Sequence, residues 1–188
     1  MATIVHGFDW PDRFVVGTVG QPGSRTFYLQ AKAGAELVSV AVEKEQSRAL
    51  ADRIDEVLDE LMAEDGNPFS VPQSAPDGLA DHEPLDQPVE EQFRAGAMGL
   101  GWDPSTAQIV IEAFPMVEVD PETDVDADGI VEIEPPEALV VRIPVGSARA
   151  FAQRTREVVS AGRPVCSLCQ APMDSPDDHV CELPDEFR

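Results

Sequence analysis

The chain has 188 residues, 43% of them hydrophobic, enough for one good core and a small appendage. Thirteen basic against 36 acidic residues give a formal charge of −23, which repels phosphate backbones and anionic lipid and disfavours a general nucleic-acid or membrane-surface binder. Met1 to Trp10 lack the basic start and apolar stretch of a secretory signal, and no later run approaches a membrane span, so the expected compartment is the cytosol.

Arg13 to Gly20 reads as a strand, Thr26 to Ala31 as its hairpin partner and Glu36 to Val42 as a third strand. The glycines between the first two do not make a phosphate loop. Gly17 to Arg25 lacks the Gly-Lys-Ser/Thr ending and leads into a strand, so Gln21-Pro22-Gly23 is expected to be a turn. Leu50, Ile54, Val57, Leu58 and Leu61 then draw one apolar stripe along a helix from Gln46 to Ala63. Glu64 to Glu90 carries Pro68, Pro72, Pro76, Pro84 and Pro88, which exclude regular structure and predict a surface linker or lid.

The second half follows the same plan: strands at Gln92 to Gly99, Thr106 to Phe114 and Ala138 to Pro144, then a helix from Ser147 to about Ser160. A shift of 101 positions lays Arg48 to Val57 on Arg149 to Val158 with six of ten residues identical, and Val38, Val40 and Val42 on Leu139, Val141 and Ile143. The expected fold is α+β: a duplicated β-β-β-α unit forming a largely antiparallel sheet of about six strands with both helices on one face, the copies related by a pseudo-twofold. Its domain spans residues 1–163, with repeats at about 13–63 and 91–160 and the linker at 64–90. Residues 164–188 form a separate tail.

Asp124, Asp126 and Asp128 with Gly129 and Ile130 resemble the start of a calcium loop, but Pro135 stands where the closing glutamate is needed. A solvated acidic hairpin loop is the plainer reading, with weak divalent-cation binding as the alternative. His6 and His82 have no nucleophile nearby in sequence, and neither is assigned a role.

Ala138 to Val165 is locally basic, with Arg142, Arg149, Arg154, Arg156 and Arg163 against Glu157. The preferred reading is that these arginines neutralise the protein's own acidic loops. The alternative gives Arg149, Arg156 and Arg163, on one helix face, to an acidic or phosphorylated partner.

All three cysteines lie in 16 residues of the tail, as Cys166-x-x-Cys169 followed by His179-x-Cys181. In a reducing compartment this spacing reads as thiolate metal ligation, and four ligands close a tetrahedral zinc sphere that is structural. Asp177 and Asp178 are placed to orient the imidazole. A redox dithiol of Cys166 and Cys169, or three inert thiols, are the alternatives.

The ordered motifs Phe8-Asp9-Trp10-Pro11-Asp12-Arg13-Phe14, Gly17 to Gly23, Arg25 to Ala31, Glu43-Lys44-Glu45-Gln46, Pro88 to Arg94 and the terminal cysteine cluster resemble the actinobacterial domain-of-unknown-function family 3090. Where that family's first knuckle usually carries proline and glycine, Ser167 and Gln170 stand here. The resemblance implies gene neighbours that are histidine-phosphatase-like and phosphatidylinositol-kinase-like, and implies no activity. The leading functional expectation is a non-enzymatic cytosolic adaptor whose zinc-stapled tail binds a protein partner. An enzyme or ligand-binding subunit acting on a phosphorylated small molecule is the alternative, and an RNA-binding accessory protein comes last.

Overall fold

The structure, a computed structural model, describes residues 3–21, 24–116 and 135–161. Within them the chain runs β1 (Ile4–Asp9), β2 (Arg13–Val19), β3 (Thr26–Ala33), β4 (Glu36–Val42), α1 (Lys44–Met62), β5 (Glu91–Asp103), β6 (Gln108–Pro115), β7 (Glu137–Pro144) and α2 (Val145–Ser160), with a 3-10 turn at Asp77–Leu79. The class is α+β, as expected. The sheet differs from expectation in having seven strands, ordered β1-β7-β6-β5-β4-β3-β2, and in being mixed. Four pairings are antiparallel, while β4 with β5 and β1 with β7 are parallel. The parallel step at β4–β5 follows from α1, which carries the chain back across the sheet between them.

One face of the sheet makes the core. Phe14 and Val16 of β2, Leu29 and Ala31 of β3, Val38 and Val40 of β4, Ile109 and Ile111 of β6, and Leu139 and Val141 of β7 alternate with outward residues and join one cluster with both helices. On α1 the apolar stripe Leu50, Ile54, Leu58 and Leu61 is buried, and Glu43 starts the helix by a capping box in which its N–H donates to Gln46 Oε1 at 2.8 Å. The 101-residue shift carries the buried Ser47, Leu50, Ala51, Ile54 and Leu58 of α1 onto Ala148, Phe151, Ala152, Thr155 and Val159 of α2, all buried as well.

The sheet must curl. Six strand spacings of about 4.8 Å would hold the edges of a flat sheet about 29 Å apart. β1 and β2 are those edges, yet four residue steps from Asp9 to Arg13 reach at most about 15 Å. The edges are therefore folded toward each other, and α2 bridges them by touching β7 and β6 at one end of the sheet and β2 at the other. The corner turns at Trp10, whose φ of 54° is left-handed and whose N–H donates to Arg142 O at 3.1 Å.

Two local devices shape the strands. A register shift between Ala95 and Ala97 bulges β5 at Gly96, where a Cβ would sit 2.6 Å from Met116 Cα. After the bulge Met98, Leu100 and Trp102 face the core, so the strand continues four residues beyond the expected end. After β2, Ser24 N–H donates to Gln21 O at 3.0 Å and the chain returns antiparallel as β3, while Pro22 and Gly23 of the expected turn lie outside the described residues.

Residues 64–90 are not a free lid. Val71 and Leu85 are buried, and Leu85 lies over Gly17, where a Cβ would be 2.5 Å from its Cγ. Among the described residues no helix is long and apolar enough to cross a membrane.

Candidate functional site

α2 begins at the end of β7 and packs along α1, so any polar residue on its inner side must find a partner inside the protein. Two arginines stand there. Arg149, 6% exposed, donates from Nη1 to Asp55 Oδ1 at 2.6 Å, from Nη2 to Asp59 Oδ1 at 2.8 Å, and from Nε to Pro72 O at 3.1 Å. It joins the two helices to the proline-rich segment. Arg154, 7% exposed, crosses to the far edge of the sheet, donating from Nε to Val16 O at 3.0 Å and from Nη2 to Glu83 O at 2.6 Å. Its Nη1 donates to both the carbonyl and the carboxylate of Asp81, the latter at 2.6 Å.

Asp81 is shared. Arg13, from the start of β2, holds it by a two-point fork, Nε to Oδ2 at 2.7 Å and Nη2 to Oδ1 at 2.9 Å. Arg13 Nη1 also reaches Asp86 Oδ2 at 2.7 Å, and Lys32 of β3 reaches the other oxygen of Asp86 at 2.7 Å. Gln30, buried on β3, closes the network by accepting from Asp86 N–H at 2.8 Å and donating to Asp86 O at 3.0 Å. Residues 81–86 are thus a strap held to β2, β3 and α2 by side chains 54 to 73 positions away.

The charges respond accordingly. The hydrogen bond from Arg13, aided by the charge of Arg154, holds the Asp81 carboxyl below its usual range against the opposing effect of burial. Lys32 and then Arg13 do the same for Asp86. Arg13 is raised, chiefly by Asp81. Burial pushes Arg154 the other way, below the ordinary guanidinium value, although Asp81 opposes the shift.

Arg156 pairs with Asp52 at 3.2 Å and with Asp55 on α1, and Arg142 pairs with Asp103 at 3.2 Å. Four arginines of the basic stretch, Arg142, Arg149, Arg154 and Arg156, thus pair with the protein's own acids, most of which stand on α1 and not on the acidic loops expected. The helix face drawn for a partner is corrected in one respect: Arg149 is turned inward, because Asp55 and Asp59 of α1 receive it. Arg156 keeps a 43% exposed side chain. Arg163, Asp124, Asp126, Asp128 and the cluster Cys166, Cys169, His179 and Cys181 lie outside the described residues. Among the described residues no group of three or more His, Cys, Asp or Glu is arranged to hold a metal ion. His6 shares a hydrogen bond of 3.0 Å with Glu137, and His82 lies 3.5 Å from Glu157.

The strap network was missed from sequence, although it left a signal. Arg154 stands three residues after Phe151 and five before Val159, on the buried side of the helix, where an arginine requires an internal acceptor.

Arg13, Asp81 and Arg154 also line a cavity of about 200 Å3 between the β1–β2 corner, the first turns of α2 and the strap. Phe14 and Phe151, stacked 4.6 Å apart and 6° from parallel, line it as well. A second, shallower hollow lies between the helices at Arg48, Asp52, Arg156 and Ser160, next to the end of α2.

No curated protein and no solved structure matches the chain. A family model described as a protein of unknown function, DUF3090, matches residues 6–181, and the chain belongs to that family.

Proposed function

We propose that the chain is a non-catalytic interaction protein in which an α+β body carries a zinc-stapled tail that binds a protein partner. The observation that carries this reading is that Cys166, Cys169, His179 and Cys181 all lie within the family's matched span, which ends on the last of them. Three thiolates and an imidazole suit zinc, and a closed four-ligand sphere gives the metal an architectural task. A loop of 16 residues has no core of its own, so metal binding supplies its folding energy. α2 ends at Ser160, four residues before the tail begins in sequence, and Arg149 and Arg154 fasten that helix to α1, β2 and the strap.

The body itself we read as a duplicated β-β-β-α unit. β5 pairs parallel with β4 over its first residues and antiparallel with β6 over the rest, and β1 with β2 repeats this, parallel to β7 and then antiparallel to β3. α1 touches β5 of the second unit and α2 touches β2 of the first, which an approximate twofold along the strands accounts for.

Elemental analysis of the purified chain tests the metal, with about one zinc per chain expected. Affinity capture tests the function: Cys166→Ser/Cys169→Ser should lose both zinc and partner while its far-UV circular dichroism stays that of the parent. Capture of the same partners by a zinc-free variant would overturn the adaptor reading. The histidine-phosphatase-like and phosphatidylinositol-kinase-like proteins implied by the family resemblance are the first candidates. A ligand-binding role is the alternative, and the cavity beside Arg13 and Arg154 is where it would reside.

A further inference from the structure

The cavity at the β1–β2 corner is lined by two chemical kinds of side chain. The Phe14–Phe151 stack, Ile143, Pro144 and Leu79 are apolar, and Arg13, Arg154 and Asp81 are charged. At its edge Trp10 is 59% exposed on a left-handed backbone, and Leu79 is 45% exposed. An indole held in water at a strained corner contributes nothing to the core and is available to a ligand.

The guanidiniums are not saturated. Each has five N–H groups. Arg13 uses four, on Asp81 twice, Asp86 and Glu83 O. Arg154 also uses four, on Val16 O, Asp81 twice and Glu83 O. Among the described residues, one N–H on Arg13 Nη1 and one on Arg154 Nη2 have no acceptor. Asp12, the other carboxylate of the lining, is engaged by Gly34 N–H at 2.6 Å. Burial disfavours the charge of Arg154, and Asp81, 2.6 Å away, offsets this, while the neighbouring charge of Arg13 disfavours it further, so an anion shared by the two guanidiniums would be favourable. As for size, a cavity of about 150 Å3 accommodates benzene, and this one is about 200 Å3.

We propose that this cavity binds a small aromatic anion, its single ring lying against Phe14, Phe151 and Trp10 and its carboxylate or phosphate taken by the spare N–H groups of Arg13 and Arg154. This site is independent of the zinc tail, and its ligand is either a substrate or an effector of the body.

Tryptophan fluorescence of the full chain tests the proposal, because Trp10 lies at the cavity whereas Trp102 packs edge-on against Phe69 at 4.9 Å elsewhere. Phenyl phosphate and benzoate are the probes, with phenol as the ring without charge and inorganic phosphate as the charge without ring. Saturable quenching with a Kd of roughly 1 mM is expected for at least one of the two acids, as befits so small a ligand. Phenol and inorganic phosphate should bind about tenfold more weakly. The response should survive Trp102→Phe and vanish in Trp10→Phe. Arg154→Gln should abolish binding by calorimetry. Because Arg154 also holds the strap, Ala150→Leu, which narrows the cavity and leaves both guanidiniums, must weaken binding as well. Equal binding of phenol and phenyl phosphate, undiminished binding by Ala150→Leu, or no saturable response at roughly ten times the expected Kd would each overturn the proposal.

Discussion

Arg154 holds together parts of the chain that no helix or strand connects. Its guanidinium meets β2 at Val16 and the strap at Asp81 and Glu83 from a side chain 8% exposed. Truncation leaves Val16 O and the Asp81 carboxylate short of a donor in a place water reaches poorly. Arg154→Met should therefore lower stability by about 3 kcal/mol, read from the urea midpoint. Arg154→Lys should recover only part of this, because an ammonium cannot span three acceptors. Arg53 is the contrast: it pairs with Glu56 at 2.7 Å, but both side chains are about 60% exposed, and Arg53→Ala should leave the midpoint unchanged. The acids of the strap set a pH dependence. Asp81 and Asp86 have folded values below the unfolded one, near 3.8, so in that window the unfolded chain binds more protons and stability rises with pH. Their contribution is complete above the unfolded value and is lost as pH falls through the depressed folded values. Asp81→Asn should flatten the acid limb of a midpoint-against-pH curve below the unfolded value near 3.8, and an unchanged limb would show that the strap does not open in acid.

Among the elements, the strap depends on a missing side chain. Gly17 sits in a β-strand without unusual φ, but Leu85 occupies the space its Cβ would need at 2.5 Å. Gly17→Ala should cost about 1–3 kcal/mol, and in the double variant with Leu85→Ala the two costs should fall clearly short of adding, since removing Leu85 vacates the contested volume. The six strands β2 to β7 and both helices were legible in the sequence because their burial is local in pattern: Val38, Val40 and Val42 alternate, and Leu50, Ile54, Leu58 and Leu61 wind around one helix face. β1 was not. Of Ile4 to Asp9 only Phe8 is buried, while Ile4 and Val5 are about 60% exposed, so the strand exists because β7 offers an edge 133 residues away and not because of its own pattern. The strap was illegible for the same reason, since prolines announce irregular backbone but say nothing about what fastens it. Of the candidate site, the self-neutralising role of the arginines could be read from charge counts. That Arg149 points inward could not, because the acids receiving it lie 90 and 94 positions away on α1.

For the whole molecule, two electrostatic effects compete. The chain carries a formal charge of −23, so its many exposed carboxylates repel one another over distances comparable with the Debye length, about 10 Å at 0.1 M salt. Against this, three of the cations that could relieve the repulsion are drawn into short pairs, Arg13 with Asp81 at 2.7 Å, Arg149 with Asp55 at 2.6 Å and Arg154 with Asp81 at 2.6 Å, and are shielded from solvent. Salt screens the long-range repulsion effectively and these contact pairs poorly. Raising sodium chloride from about 0.02 to 0.3 M should therefore raise the urea midpoint, with most of the gain below about 0.15 M, where the Debye length falls fastest. The opposite sign would mean that the buried pairs, and not the excess of surface acids, dominate the electrostatics. Arg154→Met would then remove most of the salt dependence, whereas under the repulsion account it should leave the slope unchanged while shifting the whole curve down.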